Sequence, residues 1–234
     1  MTKKKIKVNE VLPDLSFMLD LLTEAEQDLL ISHMSVQVYR KNEVLYEEGD
    51  IPTYMHCLIA GKVKVSKEGI GGRTQIIRMV RPVEFFGYRA GFSGQLYVNS
   101  ASAFEQSVVV KIPVNTMVRL LKGNAQLGWF FIERLARNLG YADERMVSLT
   151  QKHIRGRLAE SLLFLKQNYG LEEDGSTLSI YLSREDLASH SNMTTSNAIR
   201  TLSAFAQERI IAIDGRKIKI IDERRLEAIS GGGK

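Results

Sequence analysis

The sequence predicts an α+β fold, in which an N-terminal antiparallel β jelly-roll domain, a long helix and a C-terminal winged helix-turn-helix follow one another. Three patterns lead to this prediction. Short runs with a period of two indicate strands in the first part of the chain, a heptad of apolar residues follows, and two short helical segments precede a hairpin near the end. The corresponding domain boundaries are residues 1–122, 123–150 and 151–234.

The first domain combines an N-terminal helical stretch with short strands. Leucines at helical spacing predict helical structure from Phe17 to Met34, with a T-x-x-E start signal at Thr23-Glu24-Ala25-Glu26 within it. From Val36 onward the period changes to two, and further strands are predicted over 75–80, 97–103 and 107–112. Several short strands at turn-marked intervals are typical of an antiparallel sandwich or barrel, and a jelly roll is the expected form.

The long helix carries the most regular pattern of the chain. Its apolar positions, spaced four and three residues apart in turn, form what we name the heptad seam: Gly128, Ile132, Leu135, Leu139, Ala142, Met146 and Leu149. A strict heptad is typical of a contact between two helices, so we predict a homodimer interface here. The alternative is a helix buried against its own domain, because Trp129, Phe130 and Phe131 add a second apolar face at one end.

Two short helices are predicted in the C-terminal domain. Ser183 is a suitable N-cap, and Asp186 three residues later completes the start signal of the first helix. Asn192 can adopt the left-handed conformation that lets the chain reverse, and the second helix is predicted to begin at Thr194. The spacing therefore predicts a helix-turn-helix.

The second helix has an outer face of small polar side chains and one arginine. Thr195, Ser196, Arg200 and Ser203 lie on or beside this face, and no acidic residue occurs between positions 187 and 207. Arginine binds guanine through two hydrogen bonds, and short polar side chains suit base edges or phosphates, so the helix is a candidate DNA reader. The alternative is a solvated surface helix, since helix-turn-helix geometry also occurs in other bundles.

A hairpin is predicted directly after the two helices. Asp214-Gly215 lies between two β-branched runs, which is a strong signal for a two-stranded wing. Arg216 and Lys217 lie at its tip, where cations can contact phosphate. The alternative is that these charges only keep an exposed turn soluble.

Charge and composition limit the classes of function. The 234 residues carry a formal net charge of +5, which permits nucleic-acid binding without requiring it. Between residues 151 and 234 there are 13 Lys and Arg against 11 Asp and Glu, so the DNA hypothesis depends on where the charges lie. Lys3, Lys4 and Lys5, and the glycines from Gly231 to Gly233, are predicted to form tails.

The cysteine content and the absence of other motifs exclude further classes. Cys57 is the single cysteine, which excludes an internal disulfide and any zinc or iron–sulfur site built from several cysteines of one chain. No stretch resembles a membrane span or a signal peptide, and a cytoplasmic location is expected. No nucleophile-and-base pair, phosphate loop or metal-ligand cluster stands out, so no enzymatic activity is predicted.

The order of these elements resembles the Crp/Fnr family of bacterial transcription regulators over nearly the whole chain. The segments that carry the resemblance are Ser183-Arg184-x-Asp186-Leu187-Ala188, Thr194-Thr195-Ser196-x-Ala198-x-Arg200, the wing ending at Ile221, Tyr46-Glu47-Glu48-Gly49-Asp50, Ile59-Ala60-Gly61-Lys62-Val63 and Glu84-Phe85-Phe86-Gly87. The resemblance implies a homodimer that binds double-stranded DNA at a palindromic operator, with RNA polymerase as a further partner and an effector or sensor domain at the N-terminus.

The resemblance also assigns residues to the DNA. It implies that Arg200 reads a base, that Thr195 and Ser196 lie beside it in the groove, and that Arg184 contacts phosphate. The family often has Arg-Glu where this chain has Thr195-Ser196, so its commonest half-site sequence is not expected here. The full set of candidate DNA-binding residues is Ser183, Arg184, Thr194, Thr195, Ser196, Arg200, Ser203, Arg216 and Lys217.

The sensor half departs from the cyclic-AMP-binding branch. That branch uses Gly-Glu and Arg-Ser pairs, whereas this chain has Gly87-Tyr88 and Tyr97-Val98, and tyrosine cannot replace the charge of a phosphate-binding arginine. Arg89 is adjacent, but in an extended segment it would point away from Tyr88. Cyclic AMP is therefore not the expected effector. The candidate effector pocket consists of Phe86, Gly87, Tyr88, Arg89, Tyr97 and Val98.

Other signals remain open from the sequence. The iron–sulfur branch of the family needs four cysteines, which this chain lacks, and His56 is a weak candidate for a heme ligand because a lone histidine in a sandwich is more often structural. The remaining candidate is an apolar or aromatic pocket between the sandwich and the long helix that could take an unidentified small molecule. The residues near it are Phe85, Phe86, Tyr88, Phe92 and Tyr97. The alternative is that these aromatic side chains fill the core.

Two functions follow from these observations. The leading hypothesis is a homodimeric DNA-binding transcription regulator controlled by an unidentified small-molecule, redox or gas signal. The alternative is a small-molecule-binding module that regulates a protein partner without reading DNA. Salt dependence of binding distinguishes the two, because phosphate contacts make DNA affinity fall steeply with added salt.

Overall fold

The structure is a computed structural model that describes residues 6–231. The predicted tails at residues 3–5 and 232–233 lie outside the described residues. Within that range the chain forms two compact units. One consists of residues 6–68 and 77–138, and the other consists of residues 69–76 and 139–231.

The first unit begins with short helical segments. Two 3₁₀ turns, Val8–Glu10 and Pro13–Leu15, precede α1 (Ser16–Leu19) and α2 (Glu24–His33). The single helix predicted from Phe17 to Met34 is therefore wrong, because Thr23 begins a new helix. The Thr23 side chain caps the Glu26 N–H, and the Glu26 carboxylate accepts a hydrogen bond from the Thr23 N–H at 2.9 Å. This reciprocal capping separates the two helices.

Eight strands form two four-stranded sheets in the N-terminal half of the chain. They are β1 (Ser35–Tyr39), β2 (Val44–Tyr46), β3 (Tyr54–Ala60), β4 (Val63–Glu68), β5 (Thr74–Val80), β6 (Glu84–Phe86), β7 (Ser100–Ala103) and β8 (Ser107–Pro113). The strand orders are β1-β8-β3-β6 and β2-β7-β4-β5. The pairings are antiparallel, as in β3 and β8, where Cys57 lies opposite Val110. The predicted antiparallel jelly roll is confirmed.

One predicted strand is shorter than the sequence indicated. The run expected to begin at Tyr97 becomes a strand only at Ser100. The Gly49 N–H donates to the Tyr97 carbonyl at 2.8 Å, and the Tyr97 N–H donates to the Asp50 carbonyl at 3.0 Å. Because both backbone groups of Tyr97 bind the loop after β2, this residue joins two loops instead of extending β7.

The sheets separate two hydrophobic cores. Phe86, Tyr46 and Tyr97 belong to the core between the sheets, whereas Phe85 and Tyr88 belong to a second core beneath the helices. Neighbouring residues of a strand point to opposite faces, so Phe85 and Phe86 pack into different cores. The first unit also contains α3 (Tyr88–Ser93) and α4 (Val114–Gly123), and a 3₁₀ turn (Ile70–Gly72) lies in the segment 69–76 of the second unit.

The predicted long helix is α5 (Ala125–Gln151), which has 27 residues. Its residues up to Asn138 belong to the first unit and those from Leu139 to the second. Leu127 and Phe131 of α5 are buried in the second core of the first unit. One face of this helix is therefore a core face near its N-terminal end.

The second unit is mainly helical. Its elements are α6 (Ile154–Tyr169), α7 (Arg184–His190), α8 (Thr195–Gln207), β9 (Ile211–Asp214), β10 (Lys217–Ile220) and α9 (Glu223–Ser230). The strands β9 and β10 pair antiparallel, with Asp214 opposite Lys217, as the Asp-Gly turn predicted.

Two elements of the second unit differ from the sequence prediction. The possible edge strand from Leu178 to Tyr181 is wrong, because Leu178 makes only an isolated bridge with Leu171. The last helix, α9, was not predicted. Its Asp222 cap accepts a hydrogen bond from the Arg225 N–H, and its apolar side chains at Leu226 and Ile229 are buried.

His190 is buried in the second unit and makes stability depend on pH. Its ring is 3% exposed, and Nδ1 lies 3.1 Å from Ser161 Oγ. Burial, followed by the charge of Arg145, lowers the pKa of His190 to about 3. In the unfolded chain a histidine has a pKa of roughly 6.5. The folded state therefore favours the neutral ring of His190. Its contribution to the free energy of unfolding is complete above the pKa of the unfolded chain and is lost as the pH falls below that value.

We expect His190 to reduce the free energy of unfolding by about 2 kcal/mol between roughly pH 7.5 and roughly pH 5, because only the unfolded chain binds the proton. Urea unfolding of the wild type and of His190→Gln at both pH values measures this difference. His33→Gln, which changes an exposed histidine, is the control. If His190→Gln and His33→Gln lost the same free energy of unfolding on acidification, His190 would not be the responsible group.

Candidate nucleic-acid interface and effector site

The helix pair α7 and α8 is held by the predicted caps. Ser183 Oγ accepts a hydrogen bond from the Asp186 N–H at 3.0 Å, and Thr194 Oγ1 accepts one from the Asn197 N–H at 3.2 Å. Asn192 between the helices has φ 50°, the left-handed conformation expected from the sequence. Local hydrogen bonds therefore set both the start of the second helix and the turn before it.

The buried face of α8 determines which residues face outward. Ala198, Leu202 and Phe205 are buried, and the Arg155 guanidinium lies over the Phe205 ring at 4.9 Å. Burying a phenylalanine and a leucine on one side of a helix fixes its rotation about its own axis. The opposite side of α8 is left exposed.

The outer face of α8 contains Thr195, Ser196, Ile199, Arg200 and Ser203, all of them exposed. Four of these were predicted from the sequence, and Ile199 was missed. Ile199 is 47% exposed. The signal that identifies it is its spacing of four residues from both Thr195 and Ser203, which places it on the same face.

Asn197 is a second residue that the sequence analysis missed. Its side-chain oxygen accepts a hydrogen bond from Arg200 Nη2. The spacing of three residues brings these side chains together on a helix. The pair presents an amide and a guanidinium side by side, which are the two side-chain groups that bind adenine and guanine most specifically.

The wing lies close to the start of α7. Arg184 Nη2 donates to the Gly215 carbonyl at 2.7 Å, and its Nη1 is buried without a hydrogen-bond partner. Lys217 Nζ lies 3.4 Å from Glu172 Oε2, and its charge also faces the Tyr181 ring at 5.4 Å. Arg216 is exposed at the tip. Of the three predicted phosphate contacts, Arg184 and Lys217 therefore already have protein partners.

Most of the heptad seam is exposed. Ile132, Leu139 and Met146 are 54%, 64% and 59% exposed, and Leu135 and Ala142 are exposed as well. The core of the first unit takes Leu127 and Phe131 instead. The helix is therefore buried against its own domain as the alternative expected, but through a different face of α5. The heptad seam remains an apolar stripe that is exposed in the single chain.

In the sensor unit, the space beside Gly87 is filled by aromatic side chains. Gly87 has φ 73°, and a Cβ built there would lie 3.0 Å from His56 Nδ1, 3.3 Å from Tyr46 Cε1 and 3.4 Å from the Tyr97 hydroxyl. The rings of Tyr46 and Tyr97 stack with centroids 3.8 Å apart. A ligand phosphate placed beside Gly87 would collide with these rings.

The six predicted effector residues do not surround one space. Phe86 and Tyr97 are in the core between the sheets, whereas Tyr88 is in the other core and its hydroxyl accepts a hydrogen bond from Asn138 Nδ2 at 2.9 Å. Arg89 and Val98 are exposed. The extended segment considered for Tyr88 and Arg89 is wrong, because both belong to the helix α3. The aromatic residues Phe85 and Phe92 pack in or against the second core, as the alternative of core filling expected.

His56 and Cys57 are buried side by side in β3. His56 is 2% exposed, its Nδ1 has no hydrogen-bond partner, and burial, followed by the charge of Lys111, lowers its pKa to about 3. Burial raises the pKa of the Cys57 thiol to about 12. Among residues 6–231, no group of three or more His, Cys, Asp and Glu side chains has the arrangement of a metal site. In the same range, no helix is long and apolar enough to cross a membrane.

Comparison with known proteins agrees with this architecture. Residues 36–124 match the family model of the cyclic nucleotide-binding domain, and residues 156–229 match that of the Crp-like helix-turn-helix domain. The chain is 23% identical over 189 residues to the CRP-like cAMP-activated global transcriptional regulator of Mycobacterium tuberculosis, covering 80% of this chain and 84% of the relative.

Solved structures show the same fold. The structure of FixK2 from Bradyrhizobium japonicum has a TM-score of 0.75 at 23% identity and covers 84% of this chain and 96% of that one. A putative regulator of the Crp/Fnr family from Eubacterium rectale has a TM-score of 0.78 at 17% identity, covering 92% and 97% of the two chains. With both domain models matched in order, the chain belongs to the Crp/Fnr family of transcription regulators and carries a helix-turn-helix DNA-binding domain.

Proposed function

We propose that this protein is a homodimeric, sequence-specific regulator that binds a palindromic site in double-stranded DNA in the cytoplasm, with α8 in the major groove. The observation that carries the proposal is the outer face of α8. It is exposed, contains Arg200 and short polar side chains, and has no acidic residue, while the other face is buried by Leu202 and Phe205. Such a face can approach base edges without charge repulsion.

The side chains on and beside this face suit different groups of the DNA. Arg200 binds guanine, and Asn197 beside it is within reach of an adjacent base or holds the guanidinium in position. Ile199 offers an exposed apolar group that suits the methyl group of thymine. Thr195, Ser196 and Ser203, with Thr194 and Ser183 at the two helix starts, contact bases or phosphates.

The wing and the start of α7 supply phosphate contacts. Arg216 is exposed at the tip, and Lys217 can exchange its weak contact with Glu172 for a phosphate. Arg184 donates to the Gly215 carbonyl of the wing, which supports a phosphate contact shared by the helix start and the wing. These contacts set orientation and affinity, whereas α8 sets sequence preference.

The heptad seam supplies the dimer. Exposed apolar positions at a spacing of four and three suit a second copy of the same helix, and two-fold symmetry then relates the two reading helices. Half-sites should lie about one helical turn apart, roughly 34–36 Å. RNA polymerase is the further partner that we propose from family membership.

Salt dependence tests the DNA contacts. Three phosphate contacts in each protomer give about six in the dimer, so operator affinity should fall by roughly 1000-fold between about 50 and about 200 mM salt. Fluorescence anisotropy on a site selected from random duplexes measures this loss. The variant Arg216→Gln/Lys217→Gln should show a shallower salt dependence with the same preferred sequence.

A salt-independent affinity, or the failure to select any duplex, would contradict the proposal. Arg224→Gln is the matched control, because this arginine is exposed on α9 and belongs neither to α8 nor to the wing. It should leave both affinity and salt dependence unchanged.

A second function is favoured by one observation in the wing. Lys217 and Lys219 each lie 3.4 Å from a carboxylate, of Glu172 and Asp174, which reduces the positive charge available to DNA. We therefore keep the alternative that the winged domain binds a protein partner and that the sensor unit controls this contact. Weak, salt-insensitive binding to DNA of any sequence is the result that would favour it.

The signal read by the sensor unit is a small molecule, a redox change or a gas. Cyclic AMP does not fit the residues present, because tyrosines replace the expected charged groups and ring atoms fill the space beside Gly87. Heme does not fit either, since His56 Nδ1 is buried against Gly87 and its ring is stacked on Phe86 at 5.2 Å. A single cysteine does not fit an iron–sulfur cluster.

A further inference from the structure

The carbonyl groups at the end of α7 are bound by arginines from other helices. The last carbonyls of a helix have no partner within it, and those of His190, Ser191 and Asn192 lie where α7 ends and the turn to α8 begins. Arg145 Nη2 of α5 donates to the His190 carbonyl at 2.9 Å, and Arg157 of α6 donates to the other two, each at 3.2 Å. Hydrogen bonds from a charged donor are roughly twice as strong as neutral ones. The turn before α8 is therefore held by α5 and α6.

Arg145 is half-buried, and its guanidinium is fixed by further contacts. The same nitrogen, Nη2, donates to the Ile76 carbonyl at 2.9 Å, and Nη1 donates to the Tyr141 hydroxyl of α5 at 3.4 Å. Ile76 is in turn bound to α7, because its N–H donates to Ser189 Oγ at 2.8 Å. All of these residues belong to the second unit. Because the guanidinium has partners in β5, α5 and α7, the fold determines its position.

Arg145 lies on the helix that carries the heptad seam. It directly precedes the seam position Met146, and successive residues of a helix are about 100° apart around its axis. One side of this part of α5 therefore offers apolar side chains to a second copy, while a neighbouring side binds the turn before α8. Ser148 of the same helix donates to Glu160 of α6 and supports the same junction. Arg145 thus connects the helix of the proposed dimer contact with the start of the reading helix.

We propose that Arg145 is a positioning residue that fixes α8 relative to α5 and thereby sets the spacing between the two reading helices of a dimer. This role rests on the proposed homodimer and its DNA site, but it concerns the spacing of the half-sites and not the bases that are read. Without the Arg145 contacts, Leu202 and Phe205 still bury the inner face of α8. The helix should then read the same bases from a less fixed position.

Spin labels at the end of α8 test this role without DNA. Gln207→Cys places one label on each protomer, because Gln207 is the exposed last residue of α8 and Cys57 is buried. Pulsed electron–electron resonance then measures the distribution of distances between the two labels. We expect Arg145→Met to broaden this distribution by at least about twofold. Arg145→Lys should restore most of the narrow distribution, since one ammonium can donate to both carbonyls that Nη2 binds.

Arg137→Met is the matched control, because Arg137 is an exposed arginine of the same helix. Circular dichroism and sedimentation equilibrium establish that each labelled variant is folded and dimeric. Arg145→Gln, which keeps a polar side chain at this half-buried position, replaces Arg145→Met if that variant does not fold. A distribution as narrow in the Arg145 variant as in the wild type would overturn the proposal.

Operators with altered spacing test the consequence for DNA binding. One extra or one missing base pair between the half-sites moves them by about 3.4 Å and rotates them by about 34°. The wild type should bind the altered sites at least about tenfold more weakly than the selected site, whereas Arg145→Met should lose most of this discrimination and select the same half-site sequence. Full discrimination by Arg145→Met would contradict the positioning role. Failure of the wild type to bind any duplex would instead refute the proposed function, and the label distances would still decide the role of Arg145.

Discussion

Leu139→Glu is expected to convert the dimer into monomers of 26.4 kDa and to abolish tight operator binding. Leu139 is 64% exposed in the single chain and lies in the middle of the heptad seam. In a two-fold seam the two introduced carboxylates would face each other at the same level of the paired helices. An unpaired buried charge costs about 3–5 kcal/mol, which corresponds to a dimer at least about 100-fold weaker.

Sedimentation equilibrium over a range of protein concentrations measures this loss. Arg137→Glu is the control, because residue 137 is exposed on the face of α5 opposite the seam. It should leave the dimer intact. A Leu139→Glu protein that remained a dimer at the same concentrations as the wild type would show that the subunits associate through another surface.

Arg200→Ala is expected to produce the largest loss of sequence-specific DNA binding among single substitutions on α8. A direct arginine–guanine contact contributes about 1–3 kcal/mol. Because the proposed dimer would make one such contact in each half-site, the loss should double to about 2–6 kcal/mol, which is at least about 30-fold in operator affinity. Preference for one base pair in each half-site should relax at the same time.

Selection from random duplexes with the wild type and the variant reveals which base pair loses its preference. Arg209→Ala is a useful comparison, since Arg209 is exposed just after α8 and outside its outer face. It should change affinity little and preference not at all. Unchanged affinity and an unchanged selected sequence for Arg200→Ala would refute the assignment of α8 as the reading helix.

Elements with local signals were predictable from the sequence. The caps at Ser183 and Thr194 and the turn at Asp214-Gly215 all formed as expected, because each depends on hydrogen bonds or backbone preferences within four residues. The start signal at Thr23 and Glu26 was also recognised and caps α2, but the leucines before it were read as part of the same helical stretch, so the break between α1 and α2 was not predicted.

The arrangement of the sensor unit was less predictable, because residues that lie close together there are far apart in the sequence. Tyr46, His56, Tyr97 and Lys111 line one cavity, although 65 positions separate the first from the last. Their proximity depends on strand order and on the loop contacts of Tyr97. Phe86 and Tyr88 are close in sequence but enter different cores, because β6 ends at Phe86 and α3 begins at Tyr88.

The sequence by itself determined the order of the three parts of the chain, the family and the heptad pattern of α5. Each of these follows from periodicity or from short-range signals, which act before the chain is folded. Only the tertiary structure decided that Asn197 lies against Arg200, that the seam of α5 is exposed, and that aromatic rings fill the space at Gly87. These outcomes depend on packing among residues that the pairing of strands and helices brings together. Such contacts produce no periodic pattern in the sequence.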